Sequence, residues 1–196
     1  MRGILTIACA LALCTTTVRA EPADPQAKAA ARQVLIALRV LAYDKALAER
    51  TSGGVVTIVV VSSGRAASRE ERARWLAGFA LLPHVKVGGR SVRVVALDLG
   101  SEAALDAQLA KHGPALMIVA SDLGAATDGL RKLARARKII TLSRREDAVR
   151  GGLAIGLISG HERDEIVINL EASRAQGARF GAGLLQLARL VEEGSP

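Results

Sequence analysis

Gly151-Gly152-Leu153-Ala154-Ile155-Gly156-Leu157-Ile158, then Glu165-Ile166-Val167-Ile168-Asn169-Leu170, then Leu184-Leu185-Gln186-Leu187-Ala188-Arg189 close the chain. They read in order as strand, turn, strand, capped helix and final helix. Residues 153–158 are apolar apart from Gly156, and residues 165–169 are again rich in β-branched side chains. Two such runs around the polar stretch 160–164 predict a hairpin. Asn169 stands where the second strand gives way to a helical stretch, residues 170–176, and its side chain can accept from an orphan backbone N–H there. Gly177 closes that stretch. Leu184, Leu187, Ala188 and Val191 follow at i, i+3, i+4 and i+7, which predicts a last helix with one apolar stripe on a core.

Working outward, helical and strand signals alternate. Val34, Leu35, Leu38, Leu41 and Ala42 mark one face of a first helix, residues 25–50, ended by Ser52-Gly53-Gly54. Residues 55–61 form a charge-free, largely β-branched run suited to a strand buried on both faces. Ser68 and Glu71, three apart, fit a capping box opening a helix that contains Trp75 and Phe79. Strands are then expected over 92–97, 115–120 and 138–142, with helices over 101–112 and 123–136. Ser143 and Glu146 repeat the capping-box spacing. Strand and helix in turn imply a mostly parallel sheet with helices on both faces. The expected fold is an α/β three-layer sandwich, flavodoxin-like or like the Rossmann-like half of a binding protein, finished by a β-hairpin and a terminal helix.

The chain has 196 residues, half of them hydrophobic, enough for one good core, so one domain over residues 21–196 is expected. Met1-Arg2, the apolar run 4–13 and the small-x-small pattern Val18-Arg19-Ala20 read as a secretory signal, residues 1–20, cleaved after Ala20. That run is too short to cross a bilayer, and no later stretch reaches the roughly 18 apolar residues a span needs, so the protein is not expected to be membrane-spanning. Both cysteines, Cys9 and Cys14, lie in the segment to be removed, leaving no thiol or disulfide in the exported product. Leu13 before Cys14 is a poor small residue for a lipidation signal.

The closing stretch, with its Gly-Gly entry and Ile-Asn-Leu exit, resembles the C-terminal signature of the YfiR/HmsC-like periplasmic proteins. Gly151, Gly152, Ile168, Asn169, Leu184, Leu185 and Ala188 carry the resemblance, in structural roles. It implies a periplasmic regulator, not an enzyme, that binds and restrains the sensor portion of an inner-membrane signalling protein. That partner is typically a diguanylate cyclase, with cyclic di-GMP and biofilm formation as the output. The first helix is poorer in aromatics over residues 37–44 than the family's usual helix, so a histidine kinase stays open as the partner. The resemblance also implies a homodimer. Family members that pair cysteines use them as a redox handle, and this chain departs from that pattern.

Twenty-seven Lys and Arg against 19 Asp and Glu give a net charge of +8, and loss of Arg2 and Arg19 leaves +6. A basic surface attracts nucleic acid, anionic membrane or an acidic protein face. Secretion and a chain with one Trp, one Tyr and two Phe for base stacking argue against nucleic acid. Gly-x-Ser-x-Gly, Gly-x-Gly-x-x-Gly and phosphate-loop patterns are absent from the sequence, so no cofactor and no catalytic residue are expected. His84, His112 and His161 lack metal-ligand spacing.

If the sheet is parallel, the C-terminal ends of its strands face one crevice. Ser63, Arg65, Ser121, Ser143 and Arg144 follow those ends and could hold a small anionic ligand. The plainer account is that the serines cap helices and the arginines are solvated. Both stand beside the regulator as readings of the sequence.

Overall fold

The computed structural model describes residues 25–192 and 194, apart from 52, 122, 125, 161 and 162. The secretory signal expected over residues 1–20 lies outside the described residues. The elements in chain order are α1 (Pro25–Ala42), β1 (Val55–Ser62), α2 (Ala66–Ala80), β2 (Lys86–Val87), β3 (Arg90–Asp98), α3 (Glu102–His112), β4 (Leu116–Val119) and α4 (Ala126–Arg137). They continue with β5 (Ile140–Ser143), α5 (Glu146–Arg150), β6 (Ile155–Ser159), β7 (Asp164–Asn169), α6 (Leu170–Ala175), α7 (Ala182–Leu187) and β8 (Arg189–Val191). One eight-stranded sheet runs in the order β2-β3-β1-β4-β5-β6-β7-β8. β1, β3, β4, β5 and β6 are parallel, as the alternating sequence predicts. The hairpin turns β7 antiparallel to β6, and β8 runs parallel to β7.

Alternation along each strand sends side chains to two layers. Val56, Ile58 and Val60 of β1, with Ile118, Leu142, Leu157 and Ile168, pack under α1 and α2 and against Leu184 of α7. Val59 and Val61, with Met117 and Val119, face Leu105 and Leu109 of α3 and Leu130 and Leu133 of α4. At the hairpin end, Val149 of α5 packs with Val167 and Val191. Gly156 admits it: a Cβ there would come within 3.0 Å of Val149 Cγ2. Gly78 similarly lets α2 lie on α1, since a Cβ there would fall 2.7 Å from the Ala30 carbonyl carbon.

The described chain departs from the sequence reading at several places, each for a physical reason. α1 ends at Ala42, not at residue 50, because the buried Asp44 carboxylate draws the chain aside. It accepts from Ala46 N–H at 3.0 Å, from Arg179 N–H at 2.7 Å and from Arg50 Nε at 2.9 Å. A 3-10 turn, Leu47–Arg50, follows. Ser68 and Glu71 form no capping box. α2 begins a turn earlier with Arg65 at its N-cap, Ser68 Oγ accepts from Ser63 N–H at 2.9 Å, and Glu71 accepts from Ser121 N–H at 2.8 Å. Ser143 ends β5 and accepts from Arg145 N–H, while Glu146 is taken by arginines. Ser101 does cap α3, accepting from Ala104 N–H at 3.2 Å.

The terminal helix is the largest correction. α7 stops at Leu187, Ala188 is its C-cap, and the chain continues as β8. Leu184 and Val191 are buried as the helical stripe requires, but Leu187 on that stripe is 70% exposed. Pairing with β7 competes successfully because it also anchors Arg189. Its guanidinium meets Glu146 of α5 at 2.7 and 3.0 Å and Glu165 of β7 at 2.8 Å, and Arg150 adds bonds to Glu146 at 2.9 and 3.0 Å.

Hydrogen bonds from Arg189, and then from Arg150, hold the Glu146 carboxyl at about 2, below its ordinary 4.5. Arg189 also lowers Glu165. A carboxyl depressed on folding stabilises above its unfolded value and loses that contribution as pH falls through its folded one. The melting temperature is therefore expected to drop between pH 4.5 and pH 2, with a shallower drop in Glu146→Gln. Identical pH profiles for the two proteins would show that this network does not bind β8 to the fold.

Candidate functional site at the strand ends and the closing edge

β1 lies between β3 and β4, so the chain winds outward to β3 and then crosses back to β4. Open α/β sheets hold ligands outside the strand C-terminal ends at such a reversal. A cleft of about 370 Å³ opens one strand over from that point, beyond β4 and β5 and between α4 and α5. Of the five residues singled out in the sequence, Ser121 and Ser143 line it, and Ser63, Arg65 and Arg144 are not in its wall. Ser63 Oγ accepts from Arg65 N–H in the turn before α2. Arg144 donates to Ser159 Oγ at 3.2 Å, on the hairpin.

The charges that do line the cleft are matched. Arg131 pairs with Asp128 at 2.9 Å, and its guanidinium also reaches the Gly151 carbonyl. Arg145 donates to Asp147 at 2.9 Å, and that bond holds the Asp147 carboxyl below its usual range. The cleft thus presents alternating charge with hydroxyls between, not a field of one sign.

Asn169 and the Gly152 carbonyl join Thr141, Ser173 and Gln176 in a buried polar interlock. Asn169, fully buried, accepts from Ala172 N–H at 2.9 Å as the N-cap of α6, as its position in the sequence predicts. Its amide donates to the Val149 carbonyl at 3.0 Å. Ser173 Oγ donates to the Asn169 carbonyl at 2.7 Å. Gln176 Oε1 accepts from both Thr141 N–H and Thr141 Oγ1, at 2.8 and 2.9 Å, and its amide donates to the Gly152 carbonyl at 3.3 Å. Gly152 takes φ +100°, a conformation that side chains rarely adopt. Gly151 caps the C-terminus of α5, Ile168 is fully buried, and Leu185 and Ala188 pack half-buried on the core. Arg50 ties the same segment from the other side, donating to the Gln176 carbonyl at 3.0 Å.

This interlock delivers an apolar rim to the surface. Leu187 (70% exposed), Leu190 (49%) and Tyr43 (44%) are large apolar side chains left open. α7 runs beside Tyr43: a Cβ on Gly183 would lie 3.6 Å from its ring. β8 ends the strand order, so among the described residues its outer backbone has no strand neighbour. Sequence reading put Leu187 in the core because its spacing is helical, and had no signal for the open edge. Among the described residues no helix is long and apolar enough to cross a membrane.

Solved structures share the fold. The chain is similar to a structure of CD0873, described as a ligand-free, open substrate binding protein with adhesive properties, from Clostridium difficile. The TM-score is 0.52 and the identity 13%, over 70% of this chain and 55% of that one. It is similar to an ABC domain in complex with L-Trp from Streptococcus pneumonia, with TM-score 0.53 and 13% identity, over 78% of this chain and 60% of that one. A conserved domain protein from Vibrio cholerae gives TM-score 0.57 and 14% identity, over 82% of this chain and 59% of that one. The chain thus spans less than two thirds of each, and identities this low speak to fold alone. No protein of curated function matches significantly. The family model described as YfiR/HmsC-like matches residues 45–189, from the residue after Asp44 through the interlock to the first residue of β8. The chain belongs to the YfiR/HmsC-like family.

Proposed function

We propose that residues 21–196 are one exported periplasmic domain, released from a signal over residues 1–20, that binds and restrains the sensor portion of an inner-membrane signalling protein. A diguanylate cyclase, acting through cyclic di-GMP on biofilm formation, is the first candidate partner and a histidine kinase the second. The protein acts by docking and not as an enzyme. Family membership carries this reading. It is supported by the exposed Leu187 and Leu190, just before and within the open-edged β8, since exposed apolar side chains at an unpaired strand edge suit an interaction surface. A second copy of the chain is the competing occupant of that rim.

Leu187→Asp and Leu190→Asp are each expected to weaken in-cell cross-linking to the signalling protein by about tenfold or more and to raise its output, as loss of a central apolar anchor does. Leu81→Asp, at a comparably exposed leucine on the C-cap of α2, serves as the control and is expected to change neither. Undiminished cross-linking in both rim variants, or cross-linking only to a second copy, would remove the reading.

A small anionic ligand at the strand ends is the second reading, supported by the placement of Ser121 and Ser143 in the cleft. It requires inorganic phosphate to raise the melting temperature, by the linkage of binding to stability, and Ser121→Ala with Ser143→Ala to abolish the rise. No rise with phosphate dismisses it.

A further inference from the structure

At the other end of the sheet, β3 is paired on its outer side over only part of its length. The two residues of β2 pair with Arg90 and Ser91, and among the described residues no strand lies beside the rest of β3 on that side. Leu99 N–H donates to the Ser62 carbonyl at 2.8 Å, so by alternation the odd-numbered residues of β3 turn their backbone groups to β1. Those of Val94, Ala96 and Asp98 face outward. Edge strands are ordinarily blunted by charge, proline or a bulge, and Val94-Val95-Ala96-Leu97 carries neither charge nor proline.

A groove of about 350 Å³ opens along this edge, lined by Ala96, Leu97 and Asp98 of β3 and by Ala104, Leu105 and Gln108 of α3. Val95 and Leu97 belong to the α3 layer, and Val92 and Val94 to the layer under α1 and α2. Leu97 and Leu105, at 8% and 3% exposure, make the floor of the groove apolar, and the small Ala104 leaves its helical wall low. A strand laid beside β3 would carry alternate side chains on the α3 face, where one of them meets the groove. A row of outward backbone groups beside an apolar groove is what recognition by strand addition uses, the ladder for affinity and the pocket for specificity.

Charge selects the segment. Residues 63–98, which build α2, β2 and β3, hold seven Lys and Arg against three Asp and Glu, a net +4. Arg69, Arg74, Lys86 and Arg93 are exposed, and Asp98 is already taken by Arg72. A second copy laid along the same edge would bring two such ends together against their repulsion, whereas an acidic segment is drawn in by the same field. We infer that the open edge of β3 binds an extended, acidic segment of another protein as a further strand. The segment pairs with the backbone of Val94, Ala96 and Asp98 and seats one apolar side chain in the groove against Leu97 and Leu105. This site lies at the opposite edge of the sheet from β8 and does not rest on docking there.

The probe is a peptide of about seven residues alternating valine and glutamate, long enough to span the open part of β3. It is titrated into the full chain while the amide resonances of Val94 and Ala96 and the melting temperature are followed. The expected result is a saturable shift of both amides with a rise in melting temperature. Neither is expected with the same peptide N-methylated throughout, which has no N–H to give a ladder, or with lysine in place of glutamate. Ala96→Pro removes an outward N–H and leaves the ladder to β1 intact, and Ala104→Leu fills the groove from α3. Each is expected to weaken binding about tenfold or more, and the second serves if the first does not fold. Amides unmoved by the peptide, an equal response to the N-methylated or the lysine peptide, or undiminished binding in the variants that fold would overturn the assignment. So would an edge closed by a second copy, seen as a dimer in solution that Ala96→Pro dissociates.

Discussion

Gln176 and Thr141 hold the rest of the structure to account. One buried amide oxygen takes both the backbone N–H and the hydroxyl of Thr141, in the middle of β5, and the amide nitrogen reaches back to Gly152. The same hydroxyl accepts from Ala154 N–H at 2.8 Å, at the entrance to β6. Three segments far apart in sequence are thereby fixed around one side chain. Asn169 and Ser173 extend the lock to α5 and β7. Because removing one member of a buried network leaves the others unpaired, such a lock tolerates little change at any of its residues. Its consequence is positional: with α6 locked, the chain must leave through α7 at Tyr43, reach β8, and present Leu187 and Leu190 outside.

The molecule divides its polar chemistry between regions. The cleft beyond β4 and β5 has each guanidinium matched by a carboxylate. The closing edge is stapled by Arg189 between Glu146 and Glu165, and it carries Leu187 and Leu190 exposed to solvent. Beneath α2, Glu71 is buried with one carboxylate oxygen accepting from Ser121 N–H.

How much was legible in the sequence depended on whether a residue's partner was local. β1 and β4 were legible because burial on both faces leaves a continuous apolar run, β3 and β5 because their runs are rich in β-branched residues, and the start of α3 because Ser101 bonds only three residues away. The hairpin and the Asn169 cap were legible for the same reason. Ser68 and Glu71 matched a local pattern, but their partners are Ser63 and, fifty residues on, Ser121. Leu184 and Val191 matched a helical stripe, but two buried residues seven apart are served equally well by a helical turn followed by a strand. The choice was made by β7 and by the carboxylates of Glu146 and Glu165, which periodicity does not see. In the site, Ser121 and Ser143 were found because strand ends are predictable. Glu71 and Arg189 were not, because each acts through a tertiary partner.

The claim that the closing segment is part of the sheet, and not an appendage laid on it, is tested most directly by native-state hydrogen exchange. The amides of Thr141, Ala154 and Ala172 are donors to the interlock, and those of Val59 and Ile118 belong to the central strands. The structure requires all five to exchange only through global unfolding, with the same free energy and the same dependence on denaturant. Exchange of the first three through a separate opening of much lower free energy, while Val59 and Ile118 stay protected, would contradict it.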